Sequence, residues 1–254
     1  MNTLPPALFL LAVAFATTAG YAQAPQAAPA QAPQATQTQA PQAAPAQNVP
    51  PVNDPAAPMA AKSLEAKMAM CIGCHGIKGY QASFPEVYKV PMISGQNAKY
   101  IVAALNAYKA GDRKHPTMRG VSTGLSDKDM ADLGAYYEKH GREPGKTLSN
   151  TATPVPPAPQ VAALLQKAAC TSCHGANFST PIDPSYPKIG GQHKDYLFVA
   201  LKAYKAENNP TVGRNNAVMS AIAKQFSNAE LKVLANYVAS FDSELKSQPD
   251  KQFR

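Results

Sequence analysis

Cysteine is scarce in this 254-residue chain. There are four, and spacing pairs them all, Cys71 with Cys74 and Cys170 with Cys173. None is left over for a structural disulfide framework. Runs of Lys and Arg are missing too, although 24 basic residues outnumber 16 acidic ones for a net charge of +8. The lysines are scattered through helical segments, which removes the footprint of a nucleic-acid binder. The surplus instead suits acidic partners or anionic surfaces. No apolar run comfortably spans a bilayer, since Ala7 to Ala19 is about thirteen residues long. Alternation of apolar and polar residues over a useful length is also lacking, so half-buried sheets are not expected.

What is present begins with that short apolar run, which reads as the core of an export signal over residues 1–22, with Gly20-Tyr21-Ala22 as the cleavage context. Met1 to Pro6 holds no basic residue, unlike most such signals. Retained uncleaved, the segment becomes an anchor that holds the chain at the membrane periphery. Residues 23–58 are nearly all Ala, Pro and Gln, and Ala24 to Gln31 recurs as Ala40 to Gln47. Nothing there is large enough to build a core, so the segment reads as a disordered spacer, partly polyproline II.

Prolines break the chain again over residues 144–159 and divide two similar halves, 59–143 and 160–246. Gly95-Gln96, Tyr100, Ala104-Leu105 and Ala107-Tyr108-Lys109-Ala110 recur 96 positions later as Gly191-Gln192, Tyr196, Ala200-Leu201 and Ala203-Tyr204-Lys205-Ala206. The cysteine pairs are 99 positions apart, so small insertions separate the copies of a duplicated unit. Helical periodicity appears three times in each copy. Leu64, Met68 and Cys71 share a face, then Ile101, Leu105 and Tyr108, then Met130, Leu133 and Tyr137. Both last helices open on a capping box, Ser126 with Asp129 and Ser227 with Glu230. Each copy is therefore expected to be all-α. A unit this small gains from a large apolar ligand at its centre.

The chemistry sits in Cys71-Ile72-Gly73-Cys74-His75 and Cys170-Thr171-Ser172-Cys173-His174. C-x-x-C-H is the attachment signature of c-type haem. Two thiols reach the two vinyl groups of one porphyrin, and the next residue puts an imidazole beneath the iron. Structural zinc is one alternative, with His115 or His193 as a fourth ligand. A thioredoxin-like dithiol is another, but it needs a βαβ context that is absent. The repetition favours two covalent haem c groups, with Cys71, Cys74, Cys170 and Cys173 as thioethers and His75 and His174 as proximal ligands. Met118 and Met219 each lie seven residues before the Leu-Ser or Phe-Ser that opens the last helix. Both fall between the second and third helical stretches, where a sixth ligand belongs. Met92 and His115 compete in copy one, yet their counterparts are Lys188 and Asn216. Met/His ligation leaves no open site and raises the reduction potential. Pro91 and Pro187 precede the Gly-Gln pairs, and their carbonyls are candidates to orient the two imidazoles. Gln96, Gln192, Tyr100 and Tyr196 either bond haem carboxylates or close the start of the second helix. His140 and His193 read as surface residues.

The pattern resembles the diheme cytochromes c of the cytochrome c4 family over about residues 60 to 245. The likeness rests on the paired C-x-x-C-H sites, Pro187-Lys188-Ile189-Gly190-Gly191-Gln192, and the Tyr-x3-Ala-Leu-x-Ala-Tyr-Lys helix. It also rests on the methionines that precede the capped last helices. The resemblance implies two tandem cytochrome c folds about a pseudo-twofold axis, with propionate edges facing each other. It implies a periplasmic electron carrier, not an enzyme, between a quinol-oxidising complex (a quinol-cytochrome c reductase) and a terminal oxidase or reductase. Two other roles compete: the cytochrome subunit of a periplasmic dehydrogenase for sulfide, thiosulfate or alcohol, and a diheme peroxidase. Copy one departs from the family in Val90-Pro91-Met92-Ile93-Ser94-Gly95, with Met where a lysine is common and three extra residues before it.

Overall fold

A computed structural model of the chain describes residues 63–140 and 156–247. The signal and spacer expected at 1–22 and 23–58, and most of the 144–159 linker, lie outside the described residues. Copy one opens with α1 (Leu64–His75), whose first turn is closed by Ser63, its hydroxyl accepting from the Ala66 N–H at 3.3 Å. Two residues each of β1 (Gln81–Ala82) and β2 (Tyr88–Lys89) pair antiparallel before α2 (Ala98–Ala110). Gly111 ends α2 at φ 88°, a left-handed cap that glycine takes without steric cost. Then come β3 (Arg113–Lys114), α3 (Pro116–Thr123) and α4 (Asp127–Lys139).

Copy two repeats the plan with α5 (Pro159–Ala168), α6 (Thr171–His174), α7 (Lys194–Ala203), β4 (Gly213–Arg214), α8 (Ala217–Ala223) and α9 (Asn228–Ala239). Three features differ from the sequence-based expectation. Short helices α3 and α8 fill the segments between the second and third helical stretches, where no helix is expected. The first helix of copy two is interrupted where Ala169 turns left-handed at φ 48°, separating α5 from α6. Two-residue ladders add brief strand pairing to an otherwise helical fold.

Both capping boxes close: the Ser126 and Ser227 hydroxyls accept from the Asp129 and Glu230 N–H groups at 3.2 Å each. They start α4 and α9 at defined points, so that the apolar faces of these helices meet α2 and α7. In copy one Met68, Ile72, Ile101, Leu105, Leu125, Met130, Leu133 and Tyr137 form one buried cluster. Each such aliphatic side chain contributes about 1.5–3 kcal/mol when buried. Gly134 lets α4 approach α2 closely, since a Cβ there would lie 2.9 Å from the Ala98 carbonyl oxygen. The same position in copy two holds buried Ala235. Copy two builds its core from Phe178, Leu197, Val238 and Phe241 with a second group around Phe226, Leu231 and Leu234.

The two copies dock on each other through related contacts. β3 pairs with β4 antiparallel, bringing Arg113 opposite Arg214. The Lys246 N–H donates to the Ser94 carbonyl at 3.0 Å, the Lys89 N–H to Asp195 Oδ2 at 3.0 Å, and Lys202 Nζ lies 2.5 Å from Glu86 Oε1. The duplicated lysine of the Ala-Tyr-Lys-Ala segment has one job in both copies. Lys109 Nζ donates to the Leu125 carbonyl and Lys205 Nζ to the Phe226 carbonyl, each at 2.7 Å. Each thereby ties the second helix to the residue that precedes the last one.

Copy one also buries an ion pair. Lys67 Nζ on α1 lies 2.5 Å from Asp129 Oδ1 on α4, with side-chain exposures of 6% and 9%. The Lys67 hydrogen bond and the Ser126 backbone and hydroxyl hold the Asp129 carboxyl down at about 2. A carboxyl lowered on folding stabilises the fold above its unfolded value, about 3.9, and loses that contribution as pH falls through the folded value. Lys67→Met is expected to cost about 3 kcal/mol in chemical denaturation at neutral pH. In the native protein this contribution should persist down to about pH 4 and vanish as pH approaches 2.

Candidate functional site

Cys71, Cys74 and His75 occupy the last turns of α1, while Cys170 precedes α6 and Cys173 and His174 lie in it. Each imidazole is held from outside its own helix. His75 Nδ1 lies 2.7 Å from the Pro91 carbonyl oxygen, and His174 Nδ1 lies 3.0 Å from that of Pro187. A carbonyl only accepts, so Nδ1 carries the proton in both rings and Nε2 keeps its lone pair, the form that binds a metal. Burial lowers the pKa of both imidazoles, and the carbonyl bonds only partly oppose it.

The thiols argue against redox-active dithiols. Burial pushes Cys71 up to about 11 and raises Cys170 as well, whereas exchange chemistry needs a lowered value. Among the described residues, no three His, Cys, Asp or Glu side chains gather into a metal-holding group, so the zinc reading finds no ligand set.

Met118 lies on α3 and Met219 on α8, both half-buried. Met118 packs against the copy-one core cluster that Cys71 also borders. His115, a rival ligand by sequence, has both ring nitrogens engaged. The Met118 N–H donates to its Nδ1 at 3.3 Å, and its Nε2 lies 3.1 Å from the Tyr88 hydroxyl. It is the N-cap of α3. Its counterpart Asn216 does the same for α8, accepting from the Met219 N–H at 2.9 Å. Histidine in place of the usual Asn, Asp or Ser hid this helix start from the sequence. His140 is half-buried and stacked on Tyr136, with ring centroids 4.7 Å apart, and His193 is half-buried too.

Tyr100 and Tyr196 meet two residues that the motifs did not single out. Arg113 Nη2 donates to the Tyr100 hydroxyl and Arg214 Nη2 to the Tyr196 hydroxyl, each at 3.0 Å. The guanidiniums also sit over Tyr108 and Tyr204, at 5.0 and 5.5 Å from the ring centroids. The signal was available: each arginine stands five residues before its methionine. Gln96 and Gln192 face the opposite copy. Gln96 Nε2 donates to the Lys188 carbonyl and Gln192 Nε2 to the Met92 carbonyl, each at 2.9 Å.

Charge at this boundary is unbalanced. Arg113 is buried with its Nε unpartnered, and among the described residues neither Arg113 nor Arg214 meets a carboxylate. Burial raises both phenols and the two guanidiniums oppose it, prevailing at Tyr196, which is lowered, but not at Tyr100, which stays raised. Paired guanidiniums in a dry setting need anions. A porphyrin with thioether links on one side and carboxylates at its edge matches this set of residues: two thiols, an imidazole with a free Nε2, an apolar cluster and an anion-seeking arginine.

Comparison with known proteins agrees. The Cytochrome c family matches twice, over residues 65–140 and 160–242. Cytochrome c4 of Pseudomonas aeruginosa is 28% identical over 181 residues, covering 68% of this chain and 85% of its own. A protein of Thiomonas intermedia described as a thiosulfate dehydrogenase electron acceptor is 24% identical over 200 residues, covering 73% and 84%. The solved structure of Acidithiobacillus ferrooxidans cytochrome c4 superposes with a TM-score of 0.51 at 25% identity, covering 68% of this chain and 99% of that one.

The cap at α3 can be tested directly. His115→Asn is expected to keep stability within roughly 0.5 kcal/mol and His115→Ala to lose about 1 kcal/mol, as read by denaturation. Loss of a haem-iron ligand in either variant would contradict the capping role.

Proposed function

The chain belongs to the cytochrome c family as a diheme member of its cytochrome c4 group, and from that premise we propose that it shuttles single electrons in the periplasm between a quinol-oxidising complex and a terminal oxidase or reductase. It carries two covalent haem c groups and is an electron-transfer protein, not an enzyme. When bound, each haem supplies one iron that cycles between the ferrous and ferric states. In this reading Cys71 and Cys74 tether one haem and Cys170 and Cys173 the other. His75 and His174 would bind the irons through Nε2, and Met118 and Met219 would each supply a thioether sulfur. An imidazole and a thioether sulfur that both stay bound would keep reorganisation small, and the thioether would raise the potential. Arg113 and Arg214, with the phenols of Tyr100 and Tyr196, would receive the haem carboxylates at the boundary between the copies.

The observation that carries the ligand assignment is the matched pair of Nδ1 contacts to Pro91 and Pro187, at 2.7 and 3.0 Å. They fix the tautomer and leave each Nε2 free. Among the described residues no helix is long and apolar enough to cross a membrane. The net charge of +8 favours partners with acidic faces. The likeness to the Thiomonas intermedia electron acceptor supports a second reading, in which the donor is a thiosulfate-oxidising dehydrogenase.

Met118→Ala and Met219→Ala should each abolish the charge-transfer band of one Met-bound ferric haem and lower that haem's midpoint potential. Met92→Ala should leave both bands intact. Loss of a band in Met92→Ala, or its survival in Met118→Ala, would reject the assignment.

Stopped-flow reduction of the oxidised holoprotein separates the donors. Quinol-energised membranes are expected to reduce it in a salt-sensitive reaction. Reduction by a thiosulfate dehydrogenase alone would move the donor assignment to the second reading.

A further inference from the structure

We infer that Gln96 and Gln192 are positioning residues, each of which sets the hydrogen-bond strength of the histidine in the opposite copy. The inference rests on the reading of His75 and His174 as iron ligands. Two peptide groups carry it, because each is used at both ends. The Pro91–Met92 peptide accepts from His75 Nδ1 through the Pro91 carbonyl at 2.7 Å, and its N–H, on Met92, donates to Gln192 Oε1 at 3.1 Å. The Pro187–Lys188 peptide accepts from His174 Nδ1 at 3.0 Å, and its N–H, on Lys188, donates to Gln96 Oε1 at 2.9 Å. One peptide unit thus separates each imidazole from a side chain about a hundred residues away in sequence.

The glutamines are held firmly enough to act in this way. Both are 4% exposed. Gln192 Oε1 accepts a second bond from the His193 N–H at 2.9 Å, and its Nε2 donates to the Met92 carbonyl at 2.9 Å. Gln96 repeats this with the Asn97 N–H at 3.0 Å and the Lys188 carbonyl at 2.9 Å. The preceding glycines are needed to bring the side chains there. Gly95 and Gly191 have φ of 85° and 66°, and a Cβ on either would lie 2.4 Å from an atom of the chain over Ser243 and Glu244.

The physical consequence follows from cooperativity along hydrogen-bonded amides. Donating its N–H to a glutamine oxygen makes a peptide more polar and its carbonyl a better acceptor. A better acceptor draws the Nδ1 proton more strongly, gives the imidazole more anionic character and favours the ferric state of the iron it binds. Each copy therefore tunes the haem of the other. Docking of the two halves and the two potentials become linked quantities.

The test uses the full-length holoprotein, with potentiometric titration and haem-resolved NMR to assign each midpoint. Gln192→Met, of similar length but without donor or acceptor, is expected to favour reduction of the haem attached at Cys71 and Cys74 about threefold, with little change at the other haem. At 59 mV per tenfold for one electron, that is an upward shift of about 28 mV. Gln96→Met should show the crossed result, and Gln192→Glu, which keeps an acceptor oxygen in place, should bring the midpoint back to or below its native value. Equal shifts at both haems, a shift confined to the haem of the substituted copy, no shift, or a rise in Gln192→Glu would overturn the inference. Should the Met variants fail to fold, hydrogen exchange in the native protein decides: the Met92 and Lys188 amide protons should exchange as slowly as core amides, and rapid exchange would overturn it. Iron-shifted ring protons of His75 and His174 in the native protein test the underlying ligand reading separately. If those signals are present and the crossed pattern is absent, the present inference alone fails; if they are absent, the ligand reading fails with it.

Discussion

An imidazole offers Nε2 to a metal in one defined direction only when its other nitrogen is pinned, and here both are pinned by a carbonyl that follows a loop. The rest of each copy serves that contact. The Pro91 and Pro187 carbonyls are placed by the turns that lead into Gly95-Gln96 and Gly191-Gln192. Those turns lean on the last helix through the Gly95 N–H to the Tyr137 carbonyl at 2.7 Å and the Gly191 N–H to the Val238 carbonyl at 3.1 Å. The last helices are in turn started by capping boxes and seated by Met130 and Leu133 in one copy and Leu231 and Leu234 in the other. A chain of local choices thus ends in the aim of two imidazole rings.

The second constraint is charge. Cations are buried more readily than their partners: Lys67 has Asp129 and Lys188 has Glu244, but among the described residues Arg113 and Arg214 have phenols and aromatic faces and no carboxylate. Aromatic rings temper a guanidinium without neutralising it. Anions beside the pair would offset that charge, and haem carboxylates would bring them. In the proposed reading, the side chains at which the copies dock are also those that would meet the cofactors' carboxylates.

Much of the site was legible because its signals are short. C-x-x-C-H, the Ser-x-x-Asp and Ser-x-x-Glu boxes and the duplicated Ala-Tyr-Lys-Ala all work within a turn or two of helix, so their meaning travels with the string. Signals are hidden where one residue does the job of another type. His115 competes with Met118 as a ligand by sequence and is a helix cap, because an imidazole nitrogen accepts an N–H as the Asn216 oxygen does. Helix α3 hides its start for that reason, while α8, with the ordinary cap Asn216, is only seven residues long and too short to show a helical period. Arg113 and Arg214 passed unnoticed, since lone arginines outside a motif carry no local pattern.

The sequence by itself determined that the chain is duplicated, helical and equipped for two covalent haems, because each of those follows from spacing along one stretch of backbone. Tertiary structure decided who meets whom across the duplication: Gln192 with the Met92 peptide, Gln96 with the Lys188 peptide, and Arg113 beside Arg214. These partners stand about a hundred residues apart. Their meeting depends on how two finished surfaces fit, a property of three-dimensional shape and charge that no local pattern encodes.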